Sequence, residues 1–226
     1  MMAVIPPLYL IYRVYKLDSI EREPTDLIIK LLIFGVLSVI PTAIIEQLLD
    51  NFLVNGICAG LPQTQKLAVQ FFIAVAWVEE GWKHFFLKRG SWNHPAFDFR
   101  FDAIVYSVVV SLGFAALENI MYVMQYGVQG ALIRAVTAIP GHCIFGIFMG
   151  HYYGMAKMAQ RRGQTGLEKR MQFMSLFIPI ILHGFYDFAA SMGNELWSIA
   201  FIAYIIILDI FAIRSIKRFA SEDTPL

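Results

Sequence analysis

Apolar stretches of about twenty residues recur along this chain, and each is long enough to carry an α-helix through the ~30 Å hydrocarbon core of a bilayer. The candidate spans are 1–15, 27–49, 66–86, 103–125, 131–156, 171–192 and 196–213. Inside lipid every backbone N–H and C=O must be satisfied within the protein, which leaves helices and closed barrels. Continuous apolar runs of this length select helices. The expected fold class is therefore all-α, a polytopic membrane helical bundle of about seven transmembrane helices. The first span is the weakest, because it is short and contains Pro6-Pro7. It has no basic residue ahead of it and no small-residue cleavage site, so it reads as a first membrane segment and not as a removable signal.

Composition agrees with a membrane setting: 58% of the 226 residues are hydrophobic and 15% charged, where a soluble domain has roughly a quarter charged. Eighteen basic against seventeen acidic residues leave no basic field of the kind that binds nucleic acid. Cys58 and Cys143 are too far apart in sequence for a CxxC redox pair or a thiolate zinc site.

Basic residues set orientation, because Lys and Arg accumulate in cytoplasmic connections. Arg13, Lys16, Arg22 and Lys30 flank the first connection, and Lys83, Lys88, Arg89 and Arg100 the third. Lys157, Arg161, Arg162, Lys169 and Arg170 flank the fifth, and Arg214, Lys217 and Arg218 lie in the tail. The second, fourth and sixth have only Lys66 and Arg134 at their edges. The amino terminus is expected outside and the carboxyl terminus in the cytoplasm. Short connections imply antiparallel neighbours in one domain over 1–226. The basic loop 161–170 reads as an ordinary cytoplasmic connection.

An ionisable side chain at mid-bilayer costs on the order of 3 kcal/mol, so each one marks a candidate site. The third helix carries Glu79, Glu80, Lys83 and His84, the fourth Glu118 and Asn119, the fifth His142, and the sixth His183 and Asp187. Residues i and i+4 share a helix face. Glu79 can therefore meet Lys83, Glu80 can meet His84, and His183 can be oriented by Asp187. The boundaries put both His142 and His183 near the midplane, Glu118 toward the outside and Glu79 in the inner half, so one cluster requires tilt, a broken helix or shifted helix ends. Other polar residues read as structural. His84 and His94 are placed at the boundary and in a loop, His151 faces away from His142, and Glu46 and Asp209 are interfacial. Asp102 reads as a helix N-cap. Gly146, Gly150 and Gly154 form a packing stripe. Ser107 and Ser111 bond back to their own helix.

No GxSxG elbow or HExxH pair is present. What remains is carboxylate with imidazole. A buried glutamate can take a proton from water, the hydroxide can attack a peptide carbonyl, and an amide or imidazole can hold the oxyanion. Such chemistry needs a wet cavity between the helices. Zinc held by His142, His183 and Glu79 is the alternative, since two imidazoles and a carboxylate form an established catalytic set. A non-enzymatic scaffold or ion-conducting protein is the third reading.

Glu79-Glu80-Gly81-Trp82-Lys83 matches an EExxK motif and Phe114-Ala115-Ala116-Leu117-Glu118-Asn119 an FxxxEN motif; His142 and His183-Gly184-Phe185-Tyr186-Asp187 follow in order. Together these resemble the PrsW-type intramembrane proteases, distant relatives of CAAX prenyl proteases and the CPBP proteins, over about residues 70–190. Ala103, Ser107 and Ser111 stand where the family pattern has glycines. The resemblance implies a glutamate-type endopeptidase, without cofactor, in a prokaryotic plasma membrane. It would make the first cut in a membrane-anchored regulatory protein such as an anti-sigma factor. Glu79 or Glu80 would be the general base, with Glu79 favoured; His183 would position water or polarise the carbonyl; Glu118, Asn119 and His142 would complete the site. Such first cuts fall outside the membrane, which conflicts with an inner-half Glu79.

Overall fold

A helix that is apolar on every side must face lipid or lie in the middle of a bundle, and both occur here. The structure is a computed structural model that describes residues 3–18 and 20–226. Seven helical rods follow in chain order. They are α1 (Ile5–Tyr15), α2 (Thr25–Ile57), α3 (successive segments Gln63–Val69, Gln70–Ala76 and Trp77–Ser91), α4 (Asp102–Val136), α5 (Ala138–Arg161), α6 (Thr165–Ser191) and α7 (Glu195–Ser221). The Asp50–Ile57 end of α2 and the Gln70–Ala76 stretch of α3 are wound as π-helix. The protein is thus an all-α polytopic bundle.

Five segments are long and apolar enough to cross a membrane: Thr25–Ile57, Asp102–Gly130, Leu132–Arg161, Thr165–Ser191 and Glu195–Ser221. The rod α3 is also long enough but carries Glu79, Glu80, Lys83 and His84. Helix α1 rises only about 16 Å, short of a full crossing. Pro6 and Pro7 of α1 stand in its first turn, where a missing N–H costs nothing. Met1 and Met2 of the expected first span lie outside the described residues. Asn119 donates from Nδ2 to the Ala3 carbonyl at 3.1 Å, about 25 Å along α4 from Asp102. Asp18, past the other end of α1, lies beside Asp102. Helix α1 therefore runs antiparallel to α4, as a short crossing would.

Helix α4 is the axle of the bundle. In its apolar window 78% is buried, against 11% for α7, which faces lipid. Close approach explains the difference. A Cβ added to Gly150 of α5 would sit 2.5 Å from the Ala103 carbonyl of α4, and one on Gly113 of α4 would sit 2.5 Å from the Leu32 carbonyl of α2. The expected packing role of the α5 glycine stripe holds. Ala103, Ser107 and Ser111 are small enough to replace glycine on the facing side, and all three are fully buried.

The end of the bundle that carries Lys88, Arg89, Arg100, Arg161 and Arg162 is called the basic end below. There Asp102 is the first residue of α4 and not its N-cap, correcting the expectation. The chain turns at Asp98–Phe101, so Asp102 Oδ2 accepts from the Asp98 and Phe99 amides instead of from the helix's own first turn. Asp18, Glu23 and Asp102 are buried together, with Glu23 bonded to the Tyr106 hydroxyl. Burial, helped by the neighbouring Asp223, pushes the Asp18 carboxyl up to about 6. Burial, helped by Asp18 and Asp98, pushes Glu23 up to about 7. A carboxyl whose folded value is raised stabilises below its unfolded value and loses that contribution as pH rises through the folded one. Thermal unfolding of the purified protein is therefore expected to show the melting temperature falling between about pH 4 and pH 7, with a flatter slope in Glu23→Gln. A slope unchanged by that substitution contradicts the assignment.

Candidate active site

Three side chains on one arc of α3 begin the site. The Lys83 ammonium donates to Glu79 Oε2 at 2.9 Å and to Glu80 Oε1 at 2.8 Å, so one cation serves two adjacent acids from positions i−4 and i−3. Lys83 and Glu80 are fully buried and Glu79 is 5% exposed. The third Lys83 N–H points to His142 Nδ1 at 3.1 Å, and the ammonium lies 4.1 Å from the Phe114 ring centroid. The expected Glu80–His84 pair does not form. Lys83 reaches both acids, and His84 Nε2 bonds Ser175 Oγ at 2.9 Å.

The other helices close a network around this core. His183 of α6 places Nδ1 at 2.9 Å from Glu80 Oε1 and Nε2 at 3.1 Å from Asp187 Oδ2. With a carboxylate at each nitrogen, both nitrogens donate and the ring is satisfied as an imidazolium. The expected i,i+4 orientation of His183 by Asp187 is present. His142 of α5 accepts from Lys83 at Nδ1 and so carries its proton on Nε2, which donates to Glu118 Oε2 of α4 at 3.0 Å. Glu118 Oε2 also accepts from Arg134 Nη2. Arg134 returns to Glu118 because Gly127, at φ 76° and ψ −175°, turns the C-terminal part of α4 back; only glycine adopts that region at low cost. The Arg134 guanidinium lies 3.9 Å over the Tyr122 ring.

The groups surround a cavity of about 260 Å³ whose walls include Glu46, Glu79, Glu118, Arg134, His142 and His183. Asp187 also lines it, whereas Glu80 does not; Glu80 Oε2 is buried without a hydrogen-bond partner. Of the sequence-derived residues, Glu80, Lys83 and Asn119 do not line the cavity; Glu80 and Lys83 stay bonded to residues that do, whereas Asn119 takes no part in that network. Its amide is spent on the Ala3 carbonyl of α1, on another face of α4. Ser107 and Ser111 are also away from it, buried in the α4–α5 contact, and, contrary to expectation, their hydroxyls do not bond back to the helix but are enclosed without a hydrogen-bond partner among the described residues. His151 stacks on Phe219, remote from His142 as expected. Glu46 corrects its interfacial reading: α2 continues as π-helix to Ile57, so Glu46 is well inside the rod. The acid inside an apolar run was the available signal, and a helix end placed too early hid it.

The depth conflict also resolves. Measured from the basic end, Glu79 stands about 18 Å from Ser91, Glu118 about 24 Å from Asp102, His183 about 27 Å from Thr165 and His142 about 28 Å from Arg161. Glu118, His183 and His142 lie toward the opposite end of their rods, and Glu79 lies near the middle of the Gln63–Ser91 rod. Glu79 moves away from the basic end because α3 extends to Ser91, and His142 because α5 starts at Ala138.

Glu79, Glu80 and His183 offer ligand atoms within 4.8 Å of one another, so metal binding has to be weighed on the donors. Each candidate donor already has a partner within the protein. Lys83 already supplies the positive charge between the two carboxylates, both nitrogens of His183 face carboxylates, and those of His142 face Lys83 and Glu118. No imidazole lone pair is free to coordinate.

Acids, imidazoles and a lysine converging on a pocket inside an apolar bundle define a membrane-embedded hydrolase. The chain belongs to the PrsW family: the family described as PrsW family intramembrane metalloprotease matches residues 23–213. It is 34% identical to Protease PrsW of Geobacillus kaustophilus over 95% of this chain and 89% of the relative. It is 32% identical to Protease PrsW of Oceanobacillus iheyensis over 98% and 95%, and 30% identical to Protease PrsW of Bacillus subtilis over 95% and 92%. No solved structure matches the chain. The protein is accordingly a multi-pass bacterial membrane peptidase, an enzyme and not a scaffold or ion conductor, and acts on membrane protein substrates.

Proposed function

We propose that this single-domain protease is of the glutamic type, with Glu79 as the general base. The observation that carries this reading is that Glu79, and not Glu80, reaches the cavity. Glu79 takes a proton from a cavity water while the hydroxide attacks the substrate carbonyl. The same proton then passes to the leaving amine. Lys83 and Glu80 hold Glu79 and His183 in place. The His183 imidazolium polarises the carbonyl. Arg134, whose Nε has no partner in the described residues, lines the cavity as a further donor to the oxyanion; Asn119 is too far into the α1 contact to serve. Glu118 and His142 fix Arg134 and Lys83.

The basic end is cytoplasmic by charge distribution, which puts the amino terminus outside, the carboxyl terminus inside and the site in the outer half of a plasma membrane. That depth suits the first cut in a membrane-anchored regulator such as an anti-sigma factor. Co-expression with a single-span anti-sigma factor, followed by mass spectrometry of the new termini, is expected to map the scissile bond to the outer third of its span or just outside it. A cut on the cytoplasmic side contradicts the proposal. The family's description as a metalloprotease favours zinc as the second reading; activity abolished by a chelator and restored by zinc would establish it.

A further inference from the structure

Hydrolysis consumes a water at each turnover, and the site lies among apolar helices. Below it, toward the basic end, the bundle is plugged by Leu31, Leu87, Phe97, Tyr106 and Tyr153, all below 2% exposure. On the opposite side is a second cavity of about 330 Å³ between α2 and α3, lined by Glu46, Gln47, Asp50 and Gln70 among others. Ala43, Glu46 and Val75 line both cavities, so the two share a wall, and Glu46 is its one polar member. Beyond Glu46 the polar groups continue outward, with Gln70 Nε2 donating to Asp50 Oδ1 at 3.5 Å and Asn55 Nδ2 to Asp50 Oδ2 at 2.9 Å.

Two further observations single out Glu46. Its Oε1 is buried without a hydrogen-bond partner, and no cation pairs with the carboxylate among the described residues. Glu46 as a whole is half-buried, and an enclosed carboxylate oxygen with nothing in the protein to bind is costly unless water satisfies it. Moreover, both helices widen into π-turns where they line the outer cavity, at Asp50 and from Gln70 to Ala76. Such insertions are frequent at functional sites, and here they lie beside the polar residues of the gap.

We infer that the gap between α2 and α3 is the water inlet of the protease and that Glu46 is its positioning residue, binding incoming water and passing it to the chamber of Glu79. The inference rests on the hydrolytic reading above. Glu46 touches neither the scissile bond nor Lys83; it acts through the water it holds.

The test uses full-length protein in nanodiscs with a single-span substrate. Loss of a charged acceptor for one water is expected to lower kcat about tenfold in Glu46→Gln and further in Glu46→Leu. KM should stay unchanged, and Glu46→Asp should recover most of the rate. Independently, Gln47→Cys in a background lacking Cys58 and Cys143 should react with a charged methanethiosulfonate reagent, and the bulky adduct should block turnover. This second arm decides the matter should the Glu46 variants fail to fold. Wild-type kcat in Glu46→Leu, or a Gln47→Cys thiol that stays unreactive or whose modification leaves kcat intact, overturns the inlet. If those results accompany an inactive Glu79→Gln, the glutamate mechanism stands without it; an active Glu79→Gln removes the mechanism itself.

Discussion

Glu79→Gln is expected to lower cleavage at least about a hundredfold, the scale on which a positioned general base contributes, while leaving the bundle folded. The amide cannot take the proton from water. Its loss is structurally mild, because Lys83 keeps Glu80 and His142 as partners. Glu80→Gln has a different signature. Glu80 is fully buried and holds both Lys83 and His183, so its replacement lowers stability together with activity. Initial cleavage rates alongside thermal unfolding of the same preparations separate the two. Equal losses of stability in both variants would contradict the division of labour between the adjacent acids.

Lys83→Met carries the largest expected effect on stability. The ammonium is fully enclosed and neutralises two carboxylates that, among the described residues, have no other basic side chain besides His183 within salt-bridge distance. Removing one partner of a buried ion pair costs about 3–5 kcal/mol because the remaining charge is left uncompensated. Lys83→Arg is not expected to rescue it. A planar fork cannot point single donors at two carboxylates and an imidazole the way a tetrahedral ammonium does. Reversible unfolding in mixed micelles measures the difference, and a Lys83→Met protein as stable as wild type would show that the two acids are not both charged.

Much of this arrangement is legible in the amino-acid sequence, for physical reasons. Apolar runs reveal helices because lipid tolerates little else, and acids inside such runs stand out because they are costly there. Spacing gave His183 with Asp187 and Glu79 with Lys83, since i,i+4 geometry is local. It missed the reach of Lys83 to Glu80, because a four-carbon stem lets one ammonium sit between positions i−3 and i−4. Pairings between helices were not legible. Whether Asn119 faces the cavity or α1 depends on how α4 is rotated against neighbours far away in sequence, and Arg134 returns to Glu118 only through the turn at Gly127. Helix ends were the weakest part. The errors at Ser91, Ala138 and Ile57 were enough to place Glu79 too deep, His142 too central and Glu46 at a surface.

The glutamate mechanism meets its most direct test in cleavage of a single-span substrate by purified enzyme, wild type against Glu79→Gln, each with and without a zinc chelator. Full wild-type activity in the chelator and none in Glu79→Gln is the result it predicts. Substantial turnover by Glu79→Gln, or a wild-type enzyme silenced by the chelator and revived by zinc, contradicts it.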